Sequence, residues 1–233
     1  MIVLGIIPAR CGSKRVKNKN IRLLNNKPLI EYTISAAGKS KKLNRVIVST
    51  DCIEIADICV KAGAEVPFLR PSEFANDTSP DKLYLLHALE YLKNNENYFP
   101  DAILILRPTS PFKTAEIIDD VIELLEKSNA DSVRTMTKAE GVFHPYWMYR
   151  KNEKDQAFPF SEEGDINKFY QSQQLPAVYR LNGVVDAIRV NVLYNSKKMY
   201  GNDMRILEIA EEYAIDIDTE FDFKLAKVLM EER

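Results

Sequence analysis

IIPARCGSKRVKNKNI (residues 6–21) runs from an apolar stretch into a loop dense with positive charge, and reading that junction decides the fold. The apolar half, extended upstream as IVLGII (residues 2–7), is a continuous run. That is how a strand buried on both faces reads. The charged half is out of keeping with the rest of the chain. Residues 1–30 hold seven Lys or Arg and no acid, while the whole chain has 32 basic and 34 acidic residues and a net charge of −2. Like charges crowded into one loop cost stability unless an anion offsets them. The junction therefore predicts a buried strand followed by an anion-binding loop.

Strand-like and helix-like runs alternate outward from this junction. LIEYTISAA follows Pro28 as a helix stopped at Gly38, RVIVST is a second strand, and Ile55, Ala56 and Cys59 mark a helix after Asp51. AEVPF reads as a short third strand. Ser79-Pro80-Asp81 reads as a helix start, with Ser79 as the cap and Pro80 first in the helix. AILIL is another buried strand, Ile117 to Leu125 form a helical stripe after Thr114, and SVRTM closes the series. Such alternation predicts an α/β fold in three layers, a mostly parallel sheet flanked by helices. Residues 138–193 depart from it, being rich in aromatics and Pro without helical periodicity, and read as an inserted lobe and oligomer interface. YAIDID is strand-like, and Thr219 with Asp222 has capping-box spacing before a last helix.

At 233 residues the chain reads as one domain, 1–233, with the lobe 138–193 inside it. A near-neutral charge argues against a nucleic-acid partner, which requires a basic face. No stretch approaches the roughly 20 apolar residues that span a bilayer, and MIVLGIIPAR lacks the basic n-region of a leader. Three cysteines (Cys11, Cys52 and Cys59) without paired spacing fit reduced thiols. The expectation is a cytoplasmic protein with no membrane partner.

In open α/β sheets ligands bind beyond the carboxyl ends of the strands. The polar oddities PARCGSKR, STD and RPTSP all fall just after apolar strands. Arg10, Lys14 and Lys19 are spaced to surround a polyphosphate, Gly12 lets the backbone approach, Ser13 adds a donor, and Asn20 suits a base edge. The loop is neither a Walker loop nor G-x-G-x-x-G, which weakens kinase and dehydrogenase readings. Asp216 and Asp218, two apart on a strand, would project together and suit Mg²⁺. They fit an acidic approach to the Thr219 cap equally well. Arg107 enters a stiff loop with Thr109 and Ser110, placed to grip a carboxylate or simply to end a strand. Arg70 and Ser79 lie in a loop that can reach a base or ribose. Positive surroundings would lower the Cys11 thiol pKa, but no His–carboxylate pair makes it a nucleophile. His87 reads as a packed or surface residue, and His144 as a structural one that could instead touch substrate or partner.

Taken together, IIPARCGSKRVKNKNI, VIVSTD, RPSEFANDTS, LRPTSPF, LNGVVDAIR and IDIDTEFDF resemble the acylneuraminate cytidylyltransferases, the CMP-sialic acid synthetase family, in order and over nearly the whole chain. The first motif is specific and the later ones modest. The resemblance implies a Rossmann-like nucleotidyltransferase fold whose protruding segment pairs two subunits into a homodimer. It implies that Ala9, Arg10, Gly12, Ser13, Lys14 and Lys19 hold CTP phosphates, with Arg10, Lys14 and Lys19 catalytic. Asn20, Arg70 and Ser79 would contact base or ribose, Arg107, Thr109 and Ser110 the substrate, and Asp216 and Asp218 Mg²⁺. The implied reaction joins CTP and an acidic nine-carbon sugar, releasing pyrophosphate. Relatives usually carry Gln where this chain has Arg107, so the acid stays open among legionaminic, pseudaminic and related acids. A sugar-1-phosphate or other acidic acceptor, GTP in place of CTP, and a non-catalytic nucleotide-binding module are the competing readings.

Overall fold

The computed structural model describes residues 1–164 and 167–232. β1 (Val3–Pro8) leads through a short hairpin, β2 (Leu23–Leu24) and β3 (Lys27–Pro28), into α1 (Leu29–Lys39) and β4 (Arg45–Ser49). α2 (Ile53–Lys61), α3 (Asp81–Glu96), β5 (Ala102–Ile105), α4 (Ala115–Ser128) and β6 (Ser132–Lys138) follow. A second hairpin, β7 (Tyr149–Lys151) and β8 (Ala157–Pro159), precedes the long β9 (Tyr179–Arg189), α5 (Val190–Asn195), β10 (Met204–Glu208) and α6 (Glu220–Glu231).

The main sheet has six strands in the order β10-β6-β9-β5-β1-β4. β1 pairs in parallel with β4 and β5, and β10 with β6, while β9 runs antiparallel to both its neighbours. The apolar runs of β1 and β5 are buried on both faces, as their sequences demand. Ile30, Ile55, Ile118 and Val121 from α1, α2 and α4 pack together in one core. Leu85 and Leu89 of α3 pack with Leu193 of α5 in a second core. The result is the expected three-layer, mostly parallel α/β fold.

Local chemistry sets several boundaries. Pro28 stands just before α1 without a side-chain capping bond, and the helix runs one residue past Gly38. The Thr114 hydroxyl caps α4 by accepting from the Ile117 N–H, and Thr219 and Asp222 form the capping box that opens α6. Elsewhere the structure corrects the sequence reading. AEVPF makes no strand, only an isolated bridge from Glu65 to Ile47, with a second just beyond it from Leu69 to Thr50, because Pro67 removes a ladder donor. Ser79 does not cap α3; Pro80 holds that position and the Ser79 hydroxyl donates to the Glu73 carbonyl at 3.1 Å. SVRTM does not close the sheet, since β9 and β10 follow it.

YAIDID is irregular rather than a strand, yet its alternation survives, with Asp216 and Asp218 exposed on either side of buried Ile217. Ile217 joins Phe223 and Ala226 in a small third core with Val16, Leu24, Leu29 and Phe112. The Ile217 N–H also donates to the Thr109 carbonyl at 2.8 Å. This core ties the end of the chain to the loop after β1. Truncating a fully buried aliphatic of this kind costs about 2–5 kcal/mol.

Of residues 138–193, the stretch from Tyr179 onward is not part of a lobe, because β9 lies inside the main sheet and Val192 and Leu193 pack beneath it. The preceding residues carry β7, β8 and short turns, with Val142, Phe143, Phe158, Phe160 and Tyr170 exposed. His144 pins this region as a packed residue. Its Nδ1 accepts from the Tyr146 N–H at 3.1 Å, so its Nε2–H donates to the Pro176 carbonyl at 3.0 Å. Among the described residues, no helix is long and apolar enough to cross a membrane.

Candidate active site

A cleft of about 530 Å³ opens at the carboxyl ends of β1 and β5. Its walls are the loop after β1, the segment from Arg70 to Tyr84, the Arg107–Thr109 turn and Asp218. Its size is that of a small-molecule site, and its position is where an α/β sheet places one.

The loop reaches the cleft by a sharp turn. Ala9 is buried, its N–H donating to the Ser49 carbonyl at 3.0 Å, so it anchors the loop without lining the cleft. Gly12 sits at φ +71°, a conformation that favours glycine. Ser13, Lys14, Lys19 and Asn20 all line the cleft with Arg10. Arg10 Nη1 lies 2.5 Å from Asp77 Oδ1, and Lys14 pairs with the same carboxylate. The hydrogen bond from Lys14, followed by that from Arg10, holds the Asp77 carboxyl below its usual range. Lys19 Nζ donates to the Ile217 carbonyl at 2.7 Å and to Asp218 Oδ1 at 2.9 Å. Arg15 Nη1 stands 3.9 Å from the other oxygen of Asp218. The loop cations and the C-terminal aspartate thus meet in one place. Asp216, across Ile217, does not line the cleft.

Cys11 departs from expectation. Its thiol pKa is raised, first by a hydrogen bond with the Cys52 thiol and then by burial, despite the cations nearby. Its N–H donates to Asp51 Oδ1 at 2.8 Å, which turns the residue toward the end of β4.

Asn20 and Arg70 are part of the frame as well as the wall. Asn20 Nδ2 donates to the Arg10 carbonyl at 3.2 Å. Arg70 is buried, donates through Nε to Ser49 Oγ at 3.0 Å, and lies 4.5 Å over the Tyr84 ring. Burial lowers its pKa. Ser79 lines the cleft.

On the opposite wall Arg107 is already engaged. Its Nη1 bonds Asp186 Oδ2 at 2.7 Å and its Nη2 bonds Asp81 Oδ2 at 2.8 Å. Asp186, fully buried on β9, also takes Arg134 Nε at 2.9 Å and the Tyr200 hydroxyl at 3.0 Å. Burial pushes the Asp186 carboxyl up, but the Arg107 charge and the Arg134 contact more than offset it and leave it below its usual value. Thr109 lines the cleft beside Arg107. Ser110 does not; it is buried with its hydroxyl 3.5 Å from the Gly183 carbonyl. Gly183, at φ +68°, is part of the irregularity in β9 opposite Arg134 and Met136.

Sequence reasoning missed Asp77, Asp81, Tyr84 and Lys113. Lys113 is buried behind the Arg107–Pro111 turn, where Nζ donates to the Arg107 carbonyl at 2.6 Å and to Thr33 Oγ1 at 3.1 Å. Burial lowers its pKa to about 7, against a smaller opposing effect of Asp216. No local pattern marks a lysine as buried. Asp77 and Asp81 did lie in a segment whose loop and helix start drew attention.

Residues 4–233 match the family model described as Cytidylyltransferase. The chain is 35% identical to a CMP-N,N'-diacetyllegionaminic acid synthase of Legionella pneumophila, over 99% of this chain and 97% of that protein. It is 30% identical to an N-acylneuraminate cytidylyltransferase of Escherichia coli, covering 99% of this chain but 52% of that longer protein. The fold matches a CMP:2-keto-3-deoxy-manno-octonic acid synthetase solved with CTP, at a TM-score of 0.75 and 17% identity, over 100% of this chain and 99% of that one. It also matches a 4-diphosphocytidyl-2C-methyl-D-erythritol synthase of Anaerococcus prevotii, at a TM-score of 0.65 and 15% identity over 99% and 98% of the two chains. With these likenesses and a cleft where cations and an aspartate converge, the chain belongs to the cytidylyltransferase family and is a nucleotidyltransferase.

Proposed function

We propose that this protein transfers the cytidylyl group of CTP to the anomeric hydroxyl of a nonulosonic, sialic-acid-like acid, releasing pyrophosphate. The observation that carries this reading is the meeting of Lys19 with Asp218, at 2.9 Å, inside the cleft that also holds Arg10, Ser13 and Lys14. A triphosphate brings about four negative charges, and the departing pyrophosphate gains charge as its bond to the α-phosphate breaks. Arg10, Lys14 and Lys19 place fixed cations around that change, and Ser13 adds a hydroxyl donor. Such groups stabilise the transition state because they are held in position before the reaction begins. Asn20, Arg70 and Ser79 line the same cleft and serve the base and ribose, while Thr109 and Arg107 face the acceptor.

The donor set suits Mg²⁺, which takes one or two carboxylates and completes its shell with phosphate oxygens and water. Asp218, in the cleft, would hold it, and Asp216, which lies across Ile217 and outside the cleft wall, would join only by turning inward. When bound, the ion neutralises phosphate charge and eases loss of the acceptor hydroxyl's proton.

The names of the relatives favour a legionaminic or related acid as acceptor. The test is pyrophosphate release with Mg²⁺ from CTP, GTP and UTP across a panel of nonulosonic acids. The proposal predicts release that requires CTP together with one of the acids. No release from any pair, without heat of CTP binding, would remove it. We further propose a homodimer formed through the exposed aromatic segment, with Val142, Phe143 and Phe158 at its surface. Light scattering in solution distinguishes one copy from two. The free thiols Cys11, Cys52 and Cys59 suit a reducing, cytoplasmic setting.

A further inference from the structure

Tyr84 Oη, His87 Nδ1 and Tyr98 Oη are buried without a hydrogen-bond partner among the described residues. Of these residues Tyr84 alone lies in the cleft wall. A buried hydroxyl without a partner costs stability, so its position is informative. Tyr84 follows Asp81 by three residues on α3, which places both on one helix face. Its ring is fixed beneath the Arg70 guanidinium, 4.5 Å away. Tyr84, Asp81 and Arg107 line the same cleft. Burial raises the phenol's pKa, and Asp81 adds to the rise.

Arg107 is held unequally by its two carboxylates. Asp186 is 1% exposed and also carries Arg134 and Tyr200, so it grips Arg107 from the interior. Asp81 is 38% exposed and lines the cleft. The inner partner cannot leave without stranding charges, whereas the outer one can turn into water.

We propose that Tyr84 is a second donor, beside Arg107, to the carboxylate of the acidic acceptor, and that Asp81 occupies that carboxylate's place on Arg107 until the acid arrives. This rests on the reading of an acidic acceptor given above. Arg107 with a hydroxyl in the wall of the same cleft makes a directional receptor for one carboxylate. Tyr84 is then a specificity residue, and Asp81 a positioning residue acting through Arg107.

The two roles predict opposite shifts in acid affinity. Calorimetric titration with N,N'-diacetyllegionaminic acid, in saturating CDP, would compare the wild type with Tyr84→Phe and Asp81→Asn. The phenylalanine keeps the ring under Arg70 and the helix packing and removes an unpartnered hydroxyl, so the melting temperature should hold or rise. Its Kd for the acid should rise about tenfold to a hundredfold, from loss of one hydrogen bond to a charged group, while that for CDP stays constant. Asp81→Asn should bind the acid severalfold more tightly, a direction that mere loosening of α3 would not give. An unchanged acid Kd in Tyr84→Phe, or a loss confined to CDP, overturns the role of Tyr84. Weaker acid binding in Asp81→Asn overturns the role of Asp81. A wild type that binds CDP but, with each acid of the panel titrated in turn, none of them, removes the acidic-acceptor reading and this inference with it. A wild type that binds both, with variants indistinguishable from it, removes this inference alone.

Discussion

On one wall of the cleft Arg10 and Lys14 meet Asp77 in contacts open to solvent, with Lys14 79% exposed, while Lys19 reaches the exposed Asp218 from a mostly buried position. On the other, Arg107 and Arg134 close on Asp186, which is 1% exposed. Exposed pairs contribute little to stability and exchange partners readily, so an incoming polyphosphate can replace the aspartates. A buried pair is different. It adds little over an apolar substitute, but removing one partner leaves a charge that neither water nor protein satisfies. The first wall is thus built for exchanging anions, and the second for holding a guanidinium still.

Breaking the buried side should have the largest effect. Asp186→Ala strands Arg107 and Arg134, and about 3–5 kcal/mol of stability should be lost, read from urea unfolding. A loss within experimental error would erase the distinction between the walls.

Lys113 sharpens the comparison through pH. Its pKa falls from 10.5 to about 7 in the folded chain. Between these values the unfolded chain holds a proton that the folded chain lacks, so stability rises with pH across that window. Below about pH 7 the cost of the buried amine is fully present. Relative to Lys113→Met, the wild type should therefore gain stability as pH rises from neutral toward 10. Parallel unfolding curves for the two proteins would show that the amine is not buried as described.

The smallest effect belongs to the exposed side. Asp77→Asn frees Arg10 and Lys14 from their shared carboxylate, so CTP should bind a few-fold more tightly at low salt. That gain should vanish at high salt, where screening weakens exposed charges. The urea midpoint should not move. A large loss of stability would place Asp77 in the framework instead.

What the sequence discloses and conceals follows the same division. β1, β5 and α4 are legible because burial on both faces, or on one stripe, writes itself as apolar runs at fixed spacing. The caps Thr114 and Thr219 are legible because capping is local. β9 is hidden because polar residues interrupt its apolar pattern and find their partners far along the chain. Asn182 bonds Thr137 on β6 at 3.0 Å, and Asp186 bonds Arg134 on the same strand. In the cleft, the basic loop and Asp218 are legible by residue type. The engagement of Arg107, the burial of Lys113 and the orphan hydroxyl of Tyr84 depend on side chains brought together by the fold. Asp216 and Asp218 keep their alternation without a strand because burial of Ile217, rather than a ladder, sets it.

The central claim is that the loop after β1 and the aspartate before α6 act as one site. A double-mutant cycle on pyrophosphate release, with Lys19→Ala, Asp218→Asn and the pair, tests it most directly. Each single change should lower turnover by about 10²–10³-fold with the fold intact, and the double variant should be little worse than the poorer single. Losses that multiply in the double variant, or turnover untouched by either change, would contradict the account.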